Sequence, residues 1–210
     1  MEGGAAANVS GDTVLATRGH AVRIRSLLLT AAAVAALTGG TAAASPATDA
    51  SLVPLVETAA QRVATADQVA AAKWGTDQPI DDPAREQQVL DAMSAKATGM
   101  GIDPEVVERI FRDQIEANKL VQHGLHAYWA ANPAARPTER PDLGEIRPVI
   151  DRLNNELLEH IRDSAPLREH PSCGPRLTGA YLTVGHEMRL DALHGTAVGR
   201  ALPSVCEARR

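Results

Sequence analysis

Hydrophobic residues beyond residue 50 recur at steps of three and four, the spacing that places them on one face of an α-helix. The first such run extends from Ser51 to Trp74, and Gly75 and Pro79 end it. Its apolar positions are Leu52, Leu55, Val56, Ala59, Val63, Ala66 and Val69. This spacing predicts one helix that buries a single face against the rest of a helical domain.

Four further segments show the same periodicity. Asp82-Pro83 and Asp103-Pro104 each place a capping aspartate before a proline, the usual first residue of a helix, and Asp142 opens another run. Prolines between residues 133 and 141 predict an extended connector. We therefore predict an all-α domain of five or six helices, at about residues 51–74, 82–99, 103–132, 142–161 and 173–199.

Composition narrows the choice of fold and partner. Aromatic residues make up only 2% of the 210-residue chain, and β-sandwiches draw on aromatic and β-branched residues, so an all-β fold is disfavoured. The formal net charge of -5 leaves no basic excess to displace phosphate counterions. Nucleic acid is therefore excluded as the main partner.

The N-terminal segment has the pattern of an export signal. Arg18, Arg23 and Arg25 precede the apolar run Leu27–Leu37, and small residues lead up to Ala44. An uncleaved membrane anchor is the alternative, but the run is too short to span a bilayer. We predict that residues 1–44 are a signal peptide, that residues 45–210 form the mature domain, and that this domain is secreted or periplasmic without a membrane contact.

Two cysteines, Cys173 and Cys206, lie near the C-terminus. Export to an oxidising compartment makes a disulfide the default interpretation, with two free thiols as the alternative. The sequence has no CxxC or HExxH spacing, and His123 and His126 have no third ligand at a convincing distance along the chain. We predict no metal site.

Several charged residues occupy apolar surroundings. Arg62 and Lys73 lie eleven residues apart, about 20° from three full helical turns, so both project from nearly the same face. Cations on an apolar face need an anionic partner or water. A set of cations and amides without a nucleophile elbow suits a small molecule with two carboxylates, although surface arginines and lysines are usually just solvated.

The spacing of these residues is that of a known family. Arg62-x10-Lys73-x8-Asp82-x2-Arg85-Glu86, followed by a helix with Asn118 and Gln122, resembles the all-α AroQ-type chorismate mutases. The likeness is closer to the secreted gamma class of that family. It rests on Ala71-Ala72-Lys73-Trp74, Gln78-Pro79-Ile80-Asp81-Asp82, Ile102-Asp103-Pro104, Phe111-Arg112-Asp113-Gln114-Ile115, Trp129 and Leu153-Asn154-Asn155.

The resemblance implies a helical bundle whose active site lies inside one chain. The catalytic helices would occupy about residues 51–132, and a C-terminal helical part with the disulfide about residues 142–210. Arg62 and Arg147 resemble the arginines that bind substrate carboxylates, and Arg85 resembles a third contributor. Lys73 and Gln122 match the two donors to the ether oxygen that breaks in the reaction.

The remaining positions match the family less fully. Glu86 and Asp82 match groups near the ring hydroxyl of the substrate, although Asp82 also fits a plain N-cap. Asn118 stands where relatives have Ser or Thr. Val89 stands where some secreted relatives have Gln, so the contacts to the hydroxyl depend on Glu86.

The resemblance implies a secreted enzyme that converts chorismate into prephenate by a concerted rearrangement without a cofactor, and it is compatible with a homodimer. An exported helical protein of the same fold that binds a small anion or a partner without turnover is the alternative. It would not need the two ether-oxygen donors, Lys73 and Gln122.

Overall fold

The structure, a computed structural model, describes residues 51–206, and within that range it is all-α, as predicted. The helices are α1 Val53–Ala64, α2 Ala66–Lys73, α3 Pro83–Gly99, α4 Pro104–Ala131, α5 Leu143–Asp163, α6 Ala165–Arg168, α7 Cys173–Glu187 and α8 Ala192–Arg200. Short 3-10 turns occur at Pro133–Ala135 and Pro203–Cys206. None of the described helices combines the length and apolarity needed to cross a bilayer. The predicted signal peptide, residues 1–44, lies outside the described residues.

Three helices begin at the aspartates that the sequence indicated. Each carboxylate accepts a hydrogen bond from a backbone N–H of the first turn: Asp82 from Arg85, Asp103 from Glu105 and Asp142 from Gly144. These contacts satisfy N–H groups that have no partner within the helix. The same cap at Asp82 orients the first turn of α3, which carries two of the predicted site residues.

The first predicted helix is divided in two at Thr65. The carbonyl oxygen of Arg62 accepts hydrogen bonds from Thr65 Oγ1 at 2.7 Å and from Asn118 Nδ2 at 3.3 Å. Side-chain donors of this kind compete with backbone N–H groups for the carbonyl oxygens of a helix, and such competition ends or bends the helix. The prediction of one continuous helix at residues 51–74 is therefore wrong at this point, and the break lies beside the site.

The last predicted helix, residues 173–199, is also divided in two. α7 ends in a Schellman motif, in which Leu190 N–H donates to Gly185 O and Arg189 N–H donates to His186 O. Arg189 has a φ of 52°, the left-handed conformation that such motifs require and that glycine usually supplies. Asp191 then caps α8. The five periodic segments consequently give seven helices of eight or more residues, because two segments are interrupted.

The long helix α4 lies at the centre of the domain and packs against α1, α2, α3 and α8. Its Phe111 and Val121 are fully buried in the main hydrophobic cluster. Gly124 allows α8 to approach closely, because a Cβ at this position would lie 2.7 Å from Leu193 Cδ1. α5 and α7 pack chiefly against α1.

A disulfide joins Cys173 to Cys206, as the sequence indicated. The buried guanidinium of Arg168 donates to Val205 O and Ile161 O, so it connects the end of the chain to the end of α5. In the chain-entropy model, closing a loop of 33 positions stabilises the fold by roughly 3–4 kcal/mol. The C-terminal segment is thereby held against α4 and α5, the two helices that carry much of the site.

His194 connects α8 to α2. Its Nδ1 lies 2.9 Å from Asp191 Oδ1 and its Nε2 lies 2.9 Å from Asp67 Oδ1. Both ring nitrogens can donate only in the imidazolium form. Burial lowers the pKa of His194, but the hydrogen bonds to the two carboxylates outweigh it, and the net pKa is raised above its usual value.

We expect His194→Ala to lower the free energy of unfolding by about 1 kcal/mol at pH 5.5 and by much less at pH 9. A raised folded-state pKa gives a stabilisation that is complete below the unfolded pKa of about 6.5 and is lost as the pH rises through the folded value. Urea unfolding of the wild type and the variant at both pH values measures the difference in the free energy of unfolding. His186→Ala, an exposed histidine on α7, is the control, and a loss that is equal at both pH values would contradict the expectation.

Candidate active site

The eight predicted site residues line a single cavity of about 390 Å³, which we call the central cavity. Helices α1 to α5 and the loop of residues 74–82 form its walls. The predicted residues found there are Arg62, Lys73, Asp82, Arg85, Glu86, Asn118, Gln122 and Arg147. All of them come from the same chain, as the resemblance implied.

Arg62 is buried at the base of α1's last turn. Its Nε donates to Asn154 Oδ1 at 2.7 Å and its Nη1 donates to Gln114 Oε1 at 2.8 Å. Both acceptors are neutral, so they orient the guanidinium without balancing its charge. Burial lowers the pKa of Arg62 to about 10, which leaves the group cationic at neutral pH. A buried cation of this kind calls for an anion from outside the protein.

Two amides that hold Arg62 were not predicted as site residues. Gln114 Nε2 donates to the carbonyl oxygen of Ala201 at 3.2 Å, which turns its Oε1 towards Arg62. Asn154 is buried on the apolar face of α5, between Leu153 and Leu157. A polar residue inside an apolar stripe is the signal that could have identified it.

A chain of hydrogen bonds fixes the orientation of Gln122. The carbonyl oxygen of Arg62 can only accept a hydrogen bond, so it faces the amide nitrogen of Asn118, Nδ2. The amide oxygen of Asn118, Oδ1, therefore faces the next turn of α4. Gln122 Nε2 donates to that oxygen at 2.7 Å. A primary amide nitrogen carries two hydrogens, and this contact uses one. The second remains available for a ligand.

Lys73, the last residue of α2, is half-buried, and its Nζ donates to the carbonyl oxygen of Pro79 at 2.9 Å. Desolvation lowers the pKa of Lys73, and the charges of Asp82, Asp81 and Glu86 offset part of this effect. The ammonium has three hydrogens and Pro79 takes one of them. The others can bind an acceptor in the cavity.

Arg85 and Arg147 stand at the mouth of the cavity with exposed side chains. Arg85 Nη1 donates to Gln88 Oε1 at 3.2 Å. Asp82 caps α3 through its carboxylate, as the alternative interpretation of this residue predicted, and it also borders the cavity. Val89 contributes an apolar wall beside Glu86.

Lys119, a residue that the sequence interpretation missed, also lines the cavity. Its ammonium makes ion pairs with Glu116 at 2.7 Å, Glu86 at 3.1 Å and Asp81 at 3.4 Å. Lysines are common on the solvated face of a long helix, and Lys119 directly follows Asn118 in a helix that also carries Glu116, so the sequence carried no signal for it. Only the packing of α3 against α4 brings it to the site.

The histidines and tryptophans noted in the sequence lie beside the cavity rather than in its wall. His123 pairs with Asp81, and His126 Nε2 donates to the carbonyl oxygen of Ala70 at 2.9 Å. Trp74 contacts the ring of Trp129 edge-on, with centroids 5.5 Å apart. Among the described residues, no group of three or more His, Cys, Asp or Glu side chains could hold a metal ion.

The charges of the central cavity do not balance. Five cationic side chains and three carboxylates border it, and four of the cations have no carboxylate within ion-pair distance in the described part of the chain. These four are Arg62, Lys73, Arg85 and Arg147. Guanidinium groups suit carboxylates through paired, charge-assisted hydrogen bonds. Fold and cavity thus define an all-α protein whose central cavity carries an excess of positive charge, which suits a small anion.

Comparison with known proteins identifies the family. The family model "Chorismate mutase type II" matches residues 49–123. The secreted chorismate mutase of Mycolicibacterium smegmatis is 43% identical over 180 residues, which cover 85% of this chain and 99% of that protein. That of Mycobacterium tuberculosis is 39% identical and covers 75% of this chain and 79% of its own length. The chain belongs to the chorismate mutase family.

Solved structures agree with this assignment. The crystal structure of a chorismate mutase from Burkholderia phymatum superposes with a TM-score of 0.72 at 40% identity, and covers 76% of this chain and 97% of its own. The secreted chorismate mutase of Yersinia pestis, at 21% identity and a TM-score of 0.59, shares the fold. The all-α fold is therefore that of solved chorismate mutases.

Proposed function

We propose that this protein is a secreted chorismate mutase, which converts chorismate into prephenate by a concerted intramolecular rearrangement. The observation that carries the proposal is the excess of unpaired cations in one internal cavity, since chorismate has two carboxylates. In the reaction, the ether C–O bond breaks while a C–C bond forms within the same molecule. No nucleophile, proton carrier or redox group takes part in this step.

The arginines are proposed to bind the two carboxylates. Arg62 stands ready for one of them, because Gln114 and Asn154 already hold its guanidinium in place. Arg85 and Arg147 border the mouth and can reach the other. Binding of both carboxylates selects the compact conformer of chorismate, in which the two reacting carbons lie close together. This orientation lowers the barrier to the reaction.

Lys73 and Gln122 are proposed to stabilise the transition state. Negative charge grows on the ether oxygen as the C–O bond breaks, so a donor placed there binds the transition state more tightly than the substrate. Lys73 and Gln122 each have N–H hydrogens that their contacts within the protein do not use. Asn118 contributes by orienting Gln122.

Glu86 is proposed to accept a hydrogen bond from the ring hydroxyl. Its Oε1 is buried beside Lys119, whereas the side chain as a whole is 22% exposed, so the second carboxylate oxygen is the one that can meet the hydroxyl. Asp82 lies nearby but uses its carboxylate as the cap of α3. With Val89 offering only an apolar surface, Glu86 is the principal polar contact on this side.

Turnover distinguishes the enzyme from a binding protein of the same fold. We expect the purified mature protein to remove the ultraviolet absorbance of chorismate while prephenate accumulates in equal amount. Chorismate that binds in calorimetry without the appearance of prephenate would favour the small-anion carrier. Neither binding nor turnover would refute both assignments.

We expect kcat to be nearly flat from about pH 5 to 8, because Gln122 does not ionise. Lys73 must be protonated to act as a cation, so activity should fall as the pH rises through its pKa. Desolvation lowers that pKa, and the decline should therefore begin below the value of about 10.4 that is typical of lysine.

The variant Gln122→Glu tests this account of the pH profile. A carboxyl group at position 122 donates only when protonated, so the variant should lose at least about 10²-fold in kcat between pH 5 and pH 8. A wild-type profile that falls steeply towards neutrality, or a variant profile as flat as that of the wild type, would contradict the assignment of Gln122.

Export and assembly are part of the proposal. The relatives from both mycobacterial species are named secreted proteins, which supports a signal peptide at residues 1–44 and a mature domain at residues 45–210. Mass spectrometry of protein recovered from the culture medium should find an N-terminus at Ser45. A homodimer is proposed from the resemblance, and sedimentation of the mature protein tests it.

A further inference from the structure

Lys119 occupies a place in the central cavity that the proposed mechanism does not use. Only 15% of its side chain is exposed, and its ammonium contacts three carboxylates from three parts of the chain. Glu116 lies one turn earlier on α4, Glu86 lies on α3, and Asp81 lies in the loop before α3. Lys119 therefore differs from the four unpaired cations, because its charge is already balanced within the protein.

The contact with Glu86 is the one that borders the reaction. Glu86 Oε1 is shielded from solvent, and its ion pair with Lys119 Nζ at 3.1 Å lacks the geometry of a directed hydrogen bond. The ammonium thus holds Oε1 by its charge, and because the side chain as a whole is 22% exposed, the other carboxylate oxygen is the one left to accept from a ligand. A buried carboxylate without such a charge would be costly to maintain.

Glu86 has a competing partner in Lys73. The two side chains border the same cavity and interact electrostatically, yet they make no ion pair within 4 Å in the described part of the chain. A direct pair between them would engage the ammonium that is proposed to face the ether oxygen. Lys119, which lies 3.1 Å from Glu86 Oε1, offers that carboxylate an alternative cation.

We propose that Lys119 is a positioning residue, which holds the Glu86 carboxylate in the orientation that accepts the substrate hydroxyl and prevents it from pairing with Lys73. The proposal rests on the proposed function and extends it to a residue outside the predicted set. Lys119 acts through Glu86 and need not touch the substrate.

The protonation state of Lys119 agrees with this role. Burial lowers the pKa of Lys119, but its contacts with Glu116 and Glu86 outweigh burial and raise the pKa above the usual value for lysine. Asp81 also faces the ammonium, and His123 lies against Asp81 on the side away from Lys119. Lys119 is therefore a permanent cation throughout the pH range of an activity assay.

Lys119→Met keeps an unbranched side chain only one atom shorter and removes its charge. It should lower kcat by about 10- to 10²-fold with KM changed less than threefold, because misplacing groups at a reacting centre costs that much. Lys119→Arg should recover most of the loss. Glu116→Gln removes a different ion pair of Lys119 and leaves Glu86 held, so its kcat should stay within about twofold of the wild type.

A double-mutant cycle separates positioning from direct substrate contact. In the Glu86→Gln background, Lys119→Met should cost less than about twofold in kcat, because the carboxylate that it positions is absent. An equal loss in both backgrounds, or an unchanged kcat for Lys119→Met, would overturn the proposal. Thermal unfolding of each variant is measured alongside. Wild-type protein without turnover would instead refute the proposed function, an outcome seen before any variant is compared.

Discussion

Replacing Lys73 with alanine should lower kcat by at least about 10²-fold, since removing one pre-placed donor at a developing oxyanion typically costs 10²- to 10³-fold. KM should change much less, because the donor acts on charge that is larger in the transition state than in the substrate. Steady-state kinetics that follow chorismate absorbance give both constants.

Lys96 provides the matched control for Lys73. It is an exposed lysine on α3 whose Nζ donates to Asn155 Oδ1, and it does not border the central cavity. Lys96→Ala should leave kcat within about twofold of the wild type. An unchanged kcat for Lys73→Ala would rule out Lys73 as the donor to the ether oxygen.

Replacing Arg62 with glutamine should lower kcat/KM by about 10²- to 10³-fold. Arg62 is buried, so its loss leaves a substrate carboxylate without its partner where little water can replace it, at a cost of roughly 3–4 kcal/mol. The carboxylate is present in substrate and transition state alike, and we expect much of the loss to appear in KM.

Two variants calibrate the result for Arg62. Arg62→Lys keeps the charge but loses the planar fork that Asn154 and Gln114 hold, so it should recover only part of kcat/KM. Arg112→Gln removes an exposed arginine from α4 and should have little effect. An Arg62→Gln variant that circular dichroism shows to be folded and that retains the wild-type kcat/KM would contradict the proposal that Arg62 binds a substrate carboxylate.

The helices and the charged part of the site could be predicted because their signals are local. An aspartate followed by proline caps α3 and α4 whatever packs against them. Arg62 and Lys73 could be recognised because a cation on an apolar stripe is unusual wherever it occurs. The structure places them on separate helices, α1 and α2, rather than on one helical face, and both still border the central cavity.

The parts that could not be predicted depend on contacts between distant segments. The break at Thr65 requires Asn118, 53 positions later in the chain, to approach the carbonyl of Arg62. The turn after α7 uses Arg189 in a conformation that glycine normally marks, so the usual signal is absent. By contrast, Gly101 occupies the corresponding turn after α3 with a φ of 72°, and the predicted end of that helix at residue 99 agrees with the structure.

The C-terminal segment supports the site through backbone atoms, which a sequence motif cannot show. Gln114 reaches Ala201 O, and the nearby chain is held by the disulfide of Cys206 and by Arg168. The contact turns the amide oxygen of Gln114 towards Arg62. A residue remote in sequence therefore contributes to the orientation of a carboxylate-binding arginine.

The central claim is that unpaired cations in one cavity bind a substrate through two carboxylates. The most direct measurement is kcat/KM for chorismate compared with chorismate that is methylated on one carboxylate. We predict a loss of at least about 10²-fold for the monoester whose missing charge faces Arg62, since a buried cation would be left without its anion, and a smaller loss for the other monoester, which faces exposed arginines. Equal kcat/KM values for chorismate and both monoesters would contradict the claim.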